Sequence, residues 1–273
     1  MSIVTSKVIL ITGCSSGLGR HMAVYLSQYH TVIATMRTID QSLSDLFSCD
    51  VQCLDVVSDS SISSMMDYIA DTYGRLDVLI NNAGYAVAGF FEELSEQKIR
   101  SQFDTNFFGL QAVTRACLPI MRQQRSGQII NISSVAGRSA IPGLGAYNAS
   151  KWAVEGFSES LRFELRPFGI SVNLIEPGPF KTNIFSKNVD VSISGSDSAY
   201  FTQFRWFESK FKQLMASMPD DLSPVTMAVN SVINGGFSAP FRIVVGRQAK
   251  LRVFLRDSLP FRIYEIMVRF LMR

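Results

Sequence analysis

Short apolar segments alternate with longer amphipathic ones between residues 7 and 176, and this alternation limits the fold more than any other feature of the sequence. Six apolar segments have the length and composition of strands: Lys7–Thr12, Thr31–Met36, Val51–Val56, Leu76–Ile80, Gln128–Ile132 and Ile170–Ile175. Strands that alternate with helices form a parallel sheet with helices on both faces and right-handed crossovers. The sequence therefore predicts an α/β fold: a doubly wound parallel sheet of about seven strands, within a single domain spanning residues 1–273.

Composition argues against several other classes of protein. The 273 residues are 47% hydrophobic, which suffices for a buried core, and the net charge of +3 gives no reason to expect a nucleic-acid partner. The cysteines and histidines form neither a paired framework nor a zinc-binding set, so no metal is expected and reduced thiols predict a cytoplasmic protein. They are Cys14, Cys49, Cys53, Cys117, His21 and His30. Neither a signal-peptide pattern nor an apolar run of transmembrane length is found in the sequence.

A glycine-rich turn joins the first predicted strand to a predicted helix that runs to about Tyr29. Its sequence is Gly13-Cys-Ser-Ser-Gly17-Leu-Gly19. Glycines permit a tight turn and close approach of the backbone to a ligand, and the free N–H groups of a helix start attract a pyrophosphate. The turn therefore predicts a nucleotide site. Its spacing differs from the commoner G-x-G-x-x-G pattern, and a turn that serves packing alone is the alternative.

Polar residues follow the next three predicted strands, at the edge where doubly wound sheets bind ligands. Met36 ends the second strand and is followed by Arg37, whose guanidinium suits the 2′-phosphate of NADP(H); a solvated surface arginine is the alternative. Asp55 ends the third strand, where it either faces an adenine ring or caps the next helix. Asn81 and Asn82 follow the fourth, where they either meet a ligand or satisfy the strand-end backbone.

Tyr147 and Lys151 are one helical turn apart, and Ser134 precedes them at the end of the fifth predicted strand. The i, i+4 spacing places the phenol and the ammonium on one helix face. A nearby positive charge is expected to lower the tyrosine's pKa from about 10 and to make it a usable acid or base. A solvated surface pair is the alternative. Asn106 falls inside a predicted long helix, Ser95–Arg122, where we expect a buried position with a polar role.

In order and spacing, these motifs resemble those of the short-chain dehydrogenases/reductases over about residues 5–185. The resemblance implies a Rossmann-like fold and a catalytic tetrad of Asn106, Ser134, Tyr147 and Lys151. Tyr147 would exchange a proton with the substrate, Ser134 would hydrogen-bond the substrate oxygen, and Lys151 would lower the tyrosine's pKa and hold the ribose. Asn106 would anchor a water relay behind Lys151. The residues assigned to cofactor binding are Thr12, Gly13, Ser15, Ser16, Gly17, Leu18, Gly19, Arg37, Asp55, Val56, Asn82, Ala83, Gly84, Tyr147, Lys151, Pro177, Gly178 and Thr182.

Two further stretches, Gly156–Gly169 and Ile175-Glu-Pro-Gly-Pro179, resemble the branch that contains 17β-hydroxysteroid and retinol dehydrogenases. That resemblance implies a small lipophilic ketone, aldehyde or alcohol as substrate. A homodimer or homotetramer is also expected. NADP(H) is the expected cofactor because of Arg37, with NAD(H) as the alternative. A different class of function is also open: a regulatory protein that binds the cofactor with little turnover. The complete set of Ser134, Tyr147 and Lys151 favours the enzyme.

Two segments lie outside the strand and helix pattern. Residues 185–222 are rich in Phe, Ser and Met, and we expect them to cover a substrate pocket. Residues 247–273 are expected to form an apolar and basic helical tail, since eight Lys or Arg follow Pro240 against two acids. Such a helix must bury its apolar face. Three sites compete: its own domain or a dimer partner, the pocket mouth, or a membrane surface with anionic lipids, which would make the protein peripheral there.

Overall fold

The computed structural model describes residues 6–39, 48–182, 184, 189–192 and 194–271. Its strands are β1 (Val8–Ile11), β2 (Thr31–Met36), β3 (Asp50–Cys53), β4 (Val78–Asn81), β5 (Ala86–Ala88), β6 (Gly127–Ile132), β7 (Ile170–Pro177), β8 (Val189–Val191) and β9 (Arg242–Val245). Seven of them pair in parallel in the order β3-β2-β1-β4-β6-β7-β9, while β5 and β8 form a separate two-stranded sheet. The predicted doubly wound parallel sheet is confirmed.

Helices cover both faces of this sheet. They are α1 (Gly17–Leu26), α2 (Asp59–Tyr73), α3 (Glu96–Phe103), α4 (Leu110–Gln124), α5 (Gly145–Leu165), α6 (Phe201–Ser217), α7 (Ser223–Gly235), α8 (Arg247–Ser258) and α9 (Phe261–Leu271). Alternate residues of a strand point to opposite faces. On β1, Ile9 and Ile11 pack with α1 and α7, whereas Val8 and Leu10 pack with α2 and α4. None of the described helices is both long and apolar enough to span a bilayer.

The order in which successive strands join the sheet changes direction at β1. From β1 it builds outward through β2 and β3, and it then returns to place β4 on the other side of β1, with Ile9 opposite Val78. The connections that leave the carboxyl ends of β1 and β4 therefore run in opposite directions, which makes a topological switch point where open α/β sheets bind their ligands.

The predicted long helix Ser95–Arg122 is not continuous. It consists of α3, a π-helical stretch over Asp104–Gly109, and α4, which extends to Gln124. The wider turn carries Asn106 and packs closely at Gly109, where a Cβ would lie 2.8 Å from a methyl group of Val56. Single-turn π-bulges of this kind re-aim side chains inside a helix and frequently occur at functional sites.

Other boundaries also differ from the sequence prediction. The third strand ends at Cys53, so Asp55 lies beyond it, and the fourth begins at Val78 and includes Asn81. Within residues 185–222, where no pattern was predicted, α6 forms a helix of 17 residues. The parts of that segment at 185–188 and 193 lie outside the described residues. The predicted helical tail 247–273 contains two helices, α8 and α9, and positions 272 and 273 lie outside the described residues.

Candidate active site

A cavity of about 460 Å³ opens at the carboxyl edge of β1, β2, β4, β6 and β7. One end is formed by the glycine turn after β1 and the other by the start of α5. Seventeen of the residues predicted for the site line it: Gly13, Ser15, Ser16, Gly17, Leu18, Arg37, Asp55, Val56, Asn82, Ala83, Gly84, Ser134, Tyr147, Lys151, Pro177, Gly178 and Thr182. The fold thus brings together residues up to 169 positions apart in sequence.

The glycine turn leaves backbone exposed to the cavity. Gly13 and Gly17 have positive φ angles of 75° and 59°, which favour glycine, and a Cβ on Gly13 would lie 2.8 Å from Ala83 Cα. Helix α1 begins at Gly17 after Ser16, whose side chain makes no capping hydrogen bond. The first N–H groups of this helix and the positive end of its dipole therefore remain available to an anion.

Thr12 and Gly19 do not line the cavity; they hold its wall together. The Thr12 hydroxyl accepts hydrogen bonds of 3.0 Å from the backbone N–H groups of Asn82 and Ala83. The Asn82 amide in turn donates to the carbonyls of Thr12 and Gly13 at 2.9 and 3.0 Å. A Cβ on Gly19 would lie 2.2 Å from the Gly13 carbonyl oxygen, so α1 can approach the turn only with glycine there. The ends of β1 and β4 are thereby locked together.

The two asparagines after the fourth predicted strand have different positions. The Asn81 amide is buried and donates to the side chains of Thr114 at 2.9 Å and Asn131 at 2.8 Å, so Asn81 meets neither the cavity nor the strand-end backbone. Asn82 reaches the cavity wall instead. Asp55 also borders the cavity. Its carboxylate accepts a hydrogen bond of 3.2 Å from the N–H of Val57, which stabilises the turn that follows β3.

Ser134, Tyr147 and Lys151 meet at the far end of the cavity. The hydroxyl groups of Ser134 and Tyr147 are hydrogen-bonded, and Ser134 Oγ also accepts a bond of 3.1 Å from the N–H of Ala136. The Lys151 ammonium donates to the Ile132 carbonyl at 2.8 Å and lies 6.0 Å from the centroid of the Tyr147 ring. Tyr147 and Lys151 are 3% and 5% exposed, which rules out the solvated surface pair.

Burial sets the protonation of this pair. It raises the pKa of Tyr147 to about 12, and the hydrogen bond with Ser134 offsets only part of that rise. Burial also lowers the pKa of Lys151 to about 8, against the raising effect of the Glu155 carboxylate. The expected net lowering of the tyrosine's pKa is therefore not found, because burial raises this pKa. The Lys151 ammonium is held against the Ile132 carbonyl, 6.0 Å from the centroid of the Tyr147 ring.

Asn106 lies behind the cavity rather than on it. Its side-chain carbonyl accepts a bond of 3.1 Å from the N–H of Tyr85, and its amide donates to the Tyr85 carbonyl and to Ser150 Oγ at 3.0 and 3.2 Å. It is 1% exposed, so the expected buried polar position is confirmed. The π turn directs its side chain at the backbone just after the Asn82-Ala-Gly84 stretch.

A buried ionic cluster lies on the protein side of Lys151. Arg242 Nε of β9 lies 3.0 Å from the Glu155 carboxylate and 3.5 Å from that of Glu176, and Arg138 contacts Glu176 at 3.3 Å. Glu176 is fully buried, and burial and then the negative charge of Glu155 raise its pKa to about 7, although both arginines act to lower it. Glu176 is therefore partly protonated near neutral pH.

Nine cavity residues were not among the predicted site residues: Met36, Leu54, Val57, Tyr85, Thr105, Ile132, Ser133, Phe180 and Ile184. Most are adjacent in sequence to predicted ones. Met36 and Ser133 could have been found from the sequence, because each lies at the carboxyl end of a predicted strand. Thr105 and Ile184 carry no such signal, because they reach the cavity only through the π turn and through the chain beyond β7.

The doubly wound sheet, the glycine turn and the buried Ser-Tyr-Lys cluster over one cavity define a nucleotide-binding α/β oxidoreductase. A family model described as short chain dehydrogenase matches residues 7–191. The chain therefore belongs to the short-chain dehydrogenase/reductase family, and the predicted family and class of enzyme are confirmed.

Three relatives show how far the similarity extends. The chain is 36% identical to the uncharacterized oxidoreductase YusZ of Bacillus subtilis, over 96% of this chain and 97% of that protein. It is 42% identical to the 3-ketodihydrosphingosine reductase of Bacteroides thetaiotaomicron, over 72% and 73% of the two chains. It is 36% identical to human retinol dehydrogenase 8, over 84% and 78%.

Solved structures agree with this assignment. A short-chain dehydrogenase from Streptomyces avermitilis superposes with a TM-score of 0.78 at 35% identity, covering 93% of this chain and 96% of that one. A short-chain dehydrogenase/reductase from Burkholderia phymatum, in complex with NAD, superposes with a TM-score of 0.79 at 25% identity, covering 94% and 95%.

Proposed function

We propose that the protein transfers a hydride between NADP(H) and a lipophilic carbonyl compound or the corresponding alcohol, with Tyr147 as the acid or base. The observation that carries this proposal is a single cavity with an anion-binding turn at one end and the hydrogen-bonded Ser134 and Tyr147 hydroxyls at the other. A dinucleotide has its phosphates and its reactive ring at separate places along its length. A cavity with an anion-binding turn at one end and reactive hydroxyl groups at the other suits such a molecule.

The residues present fit a dinucleotide. The backbone of Gly13 and Gly17 borders the cavity at the turn, and the uncapped start of α1 suits a pyrophosphate. Asp55, Pro177, Gly178 and Thr182 line the cavity, and we assign Asp55 to the adenine end and the other three to the nicotinamide end. Arg37 borders the cavity at the end of β2, which supports NADP(H), while the relative solved with NAD keeps NAD(H) as the alternative.

The nicotinamide, when bound, supplies the hydride chemistry, and the protein supplies position and protons. With its pKa near 12, Tyr147 is a neutral phenol at pH 7 and can donate its proton to a forming alkoxide. Ser134 holds the phenol, and its single O–H can turn to donate to the substrate oxygen beside the hydrogen bond from Tyr147. With its pKa near 8, Lys151 remains mostly cationic at pH 7 and can bind hydroxyl groups of a ribose.

The proposed substrate class is a lipid-like ketone, aldehyde or secondary alcohol. Phe207 of α6 packs in one apolar cluster with Tyr147 and Leu144, so α6 supports the proposal that residues 185–222 cover the reacting group. Among the relatives, one is named for reducing 3-ketodihydrosphingosine and another for oxidising retinol. An apolar wall beside the reactive phenol suits substrates of that kind.

The test is a pair of measurements on Tyr147→Phe. We expect it to reduce turnover of lipophilic ketones by about 10³-fold or more, because the proton donor is lost, while the dissociation constant for NADPH stays within about threefold of wild type. Turnover is followed by NADPH absorbance and binding by NADPH fluorescence. Lys151→Met should impair both, since its ammonium is proposed to hold the cofactor.

A regulatory protein would give a different pattern. NADPH would bind, no ketone in a panel of steroids, retinal and long-chain 3-ketones would be turned over, and Tyr147→Phe would change nothing. That combination contradicts the proposed function while leaving the family assignment intact.

A further inference from the structure

Helices α8 and α9, which we call the C-terminal pair, attach to the cavity rim by their inner faces. A Cβ on Gly178, which lines the cavity, would lie 2.8 Å from Ala249 Cβ of α8. Ala249 and Val253 pack on Val135, the residue after Ser134. The Tyr264 hydroxyl of α9 hydrogen-bonds to Ser139. The pair is therefore fixed beside the reactive end of the cavity.

The outer faces of the C-terminal pair are exposed and apolar. On α9, Ile263, Ile266 and Phe270 fall within one narrow stripe of the helix and are 48%, 66% and 76% exposed. On α8, Leu251 and Phe254 share one face and are 58% and 65% exposed. Soluble proteins seldom leave contiguous apolar faces uncovered without an interaction to make there.

Basic residues accompany both stripes. Arg247 and Lys250 share the exposed face of α8 with its apolar residues, and Arg262 borders the stripe of α9. None of these three forms an ion pair with any residue that the structure describes. Both acids of the pair are neutralised within the protein, Asp257 by Arg138 and Glu265 by Arg269. The outer surface is therefore apolar and net positive.

This charge pattern distinguishes between the partners that could cover the surface. A two-fold contact with a second copy would bring two copies of this net-positive surface together, and like charges that face each other in an interface are unfavourable. An anionic bilayer neutralises the same residues and takes up the apolar stripes. We propose that the outer face of the C-terminal pair binds the surface of membranes that contain anionic lipids.

Because the C-terminal pair lies beside the cavity rim, binding of its outer face to a membrane would bring the cavity close to the bilayer. The rim formed by Gly178 and Ser134 would lie next to the headgroup region, so a lipid-like molecule could reach the cavity from the bilayer. This consequence rests on the proposed function, whereas the surface contact does not. A protein that binds vesicles yet reduces no ketone would keep this inference and lose the proposed function.

The test uses the full chain and vesicles of phosphatidylcholine with or without an equal share of phosphatidylglycerol. We expect co-sedimentation with the anionic vesicles only, weakened by 0.5 M salt because screening removes about fivefold in affinity per charge. The double variant Ile266→Glu/Phe270→Glu should lose at least about tenfold in vesicle affinity. Phe91→Glu, at a side chain that is 80% exposed elsewhere on the surface, is the matched control and should bind as wild type.

A second variant keeps the test decisive if the first fails to fold. Lys250→Gln/Arg262→Gln removes two exposed charges without touching an apolar contact, and it should also lose about tenfold or more on anionic vesicles. Failure of the wild type to bind, equal binding to neutral vesicles, or unchanged binding by both variants would each overturn the proposal. So would a wild type that ignores vesicles but is a dimer that Ile266→Glu/Phe270→Glu dissociates, because a second copy would then cover the surface.

Discussion

At the residue scale, Arg37 carries the expected choice of cofactor. Its side chain borders the cavity after β2, where the adenosine ribose of a dinucleotide would lie. We predict that Arg37→Asp weakens NADPH binding by roughly 30-fold or more, because it removes a charge-assisted contact and adds repulsion, while NADH binding is unchanged or stronger. Fluorescence titration with both nucleotides measures this.

Arg37→Gln is the matched control, since it removes the charge without adding a negative one. An intermediate loss of NADPH affinity is expected. If both variants keep the wild-type ratio of NADPH to NADH affinity, Arg37 is only a surface residue and the preference for NADP(H) has no basis at this position.

Glu176 gives a prediction about pH and stability. Its pKa is raised from 4.5 to about 7 in the folded chain, so the folded state holds this proton more tightly than the unfolded state. Stability from this group is therefore present in acid and declines as pH rises from about 4.5 to 7. Glu176→Gln, which stays neutral, should remove that decline and gain at most about 3 kcal/mol relative to wild type across the window.

Urea unfolding at a series of pH values measures this effect as the free energy of unfolding of the variant minus that of wild type. Glu164→Gln, at an exposed position, is the control and should give a nearly constant difference. A Glu176→Gln difference that is flat, or that falls with pH, would show that the two arginines hold the carboxylate charged throughout.

At the scale of elements, the contact between α1 and the glycine turn limits the first helix. A Cβ on Gly19 would lie 2.2 Å from the Gly13 carbonyl oxygen and 2.5 Å from the Asn82 amide. We predict that Gly19→Ala costs roughly 1–3 kcal/mol of stability and weakens NADPH binding, because α1 must shift away from the turn that starts the site. Thermal unfolding and NADPH titration measure the two effects.

Val24→Ala, on the exposed side of the same helix, is the comparison and should affect stability little and NADPH binding not at all. If Gly19→Ala binds NADPH as well as wild type does, the close approach of α1 is not needed to shape the anion site.

Elements with a strong local pattern were predictable from the sequence, and those held by distant contacts were not. The six predicted strands and the glycine turn are visible because buried strands are nearly continuously apolar. The sheet of β5 and β8 joins two three-residue strands about 100 positions apart, which leaves no local trace. Helix α6 was missed because only Phe204 and Phe207 are buried along its 17 residues.

The same limit applies to the site. The turn, the strand ends and the Tyr147 and Lys151 pair follow from spacing, and the cavity contains nearly all of them. The π turn at Asn106 and the protonation of Tyr147 did not follow, because both depend on burial that only the assembled fold defines. Likewise, no sequence pattern linked Glu176 to Arg138 and Arg242, which come from three separate elements.

At the scale of the whole molecule, α5 presents a face suited to self-association. Trp152 and Phe163 lie eleven positions apart, so they share one face of α5, and they are 46% and 70% exposed. We predict a homodimer or homotetramer in which this face meets its copy, since closed two-fold contacts are the commonest way to cover such a surface. Light scattering should give two or four times the chain mass of 30.4 kDa.

Trp152→Glu/Phe163→Glu should dissociate that assembly into monomers, while Phe91→Glu should leave it intact. A wild type that is monomeric at micromolar concentration would contradict the prediction. A double variant that keeps the wild-type mass would instead place the interface elsewhere.

The ties between Ser139 and the C-terminal pair affect how the tail can be studied. Arg252 donates to the Ser139 hydroxyl and carbonyl at 2.8 Å, and Tyr264 bonds to the same hydroxyl from the neighbouring helix. Ser139 belongs to the loop that leads into Tyr147. Cutting the chain before Pro260 would therefore loosen the loop that leads into Tyr147 and also remove the exposed apolar surface of α9. A loss of turnover after this truncation would not identify which of the two changes caused it. Outward-facing substitutions separate the two roles, and a deletion mixes them.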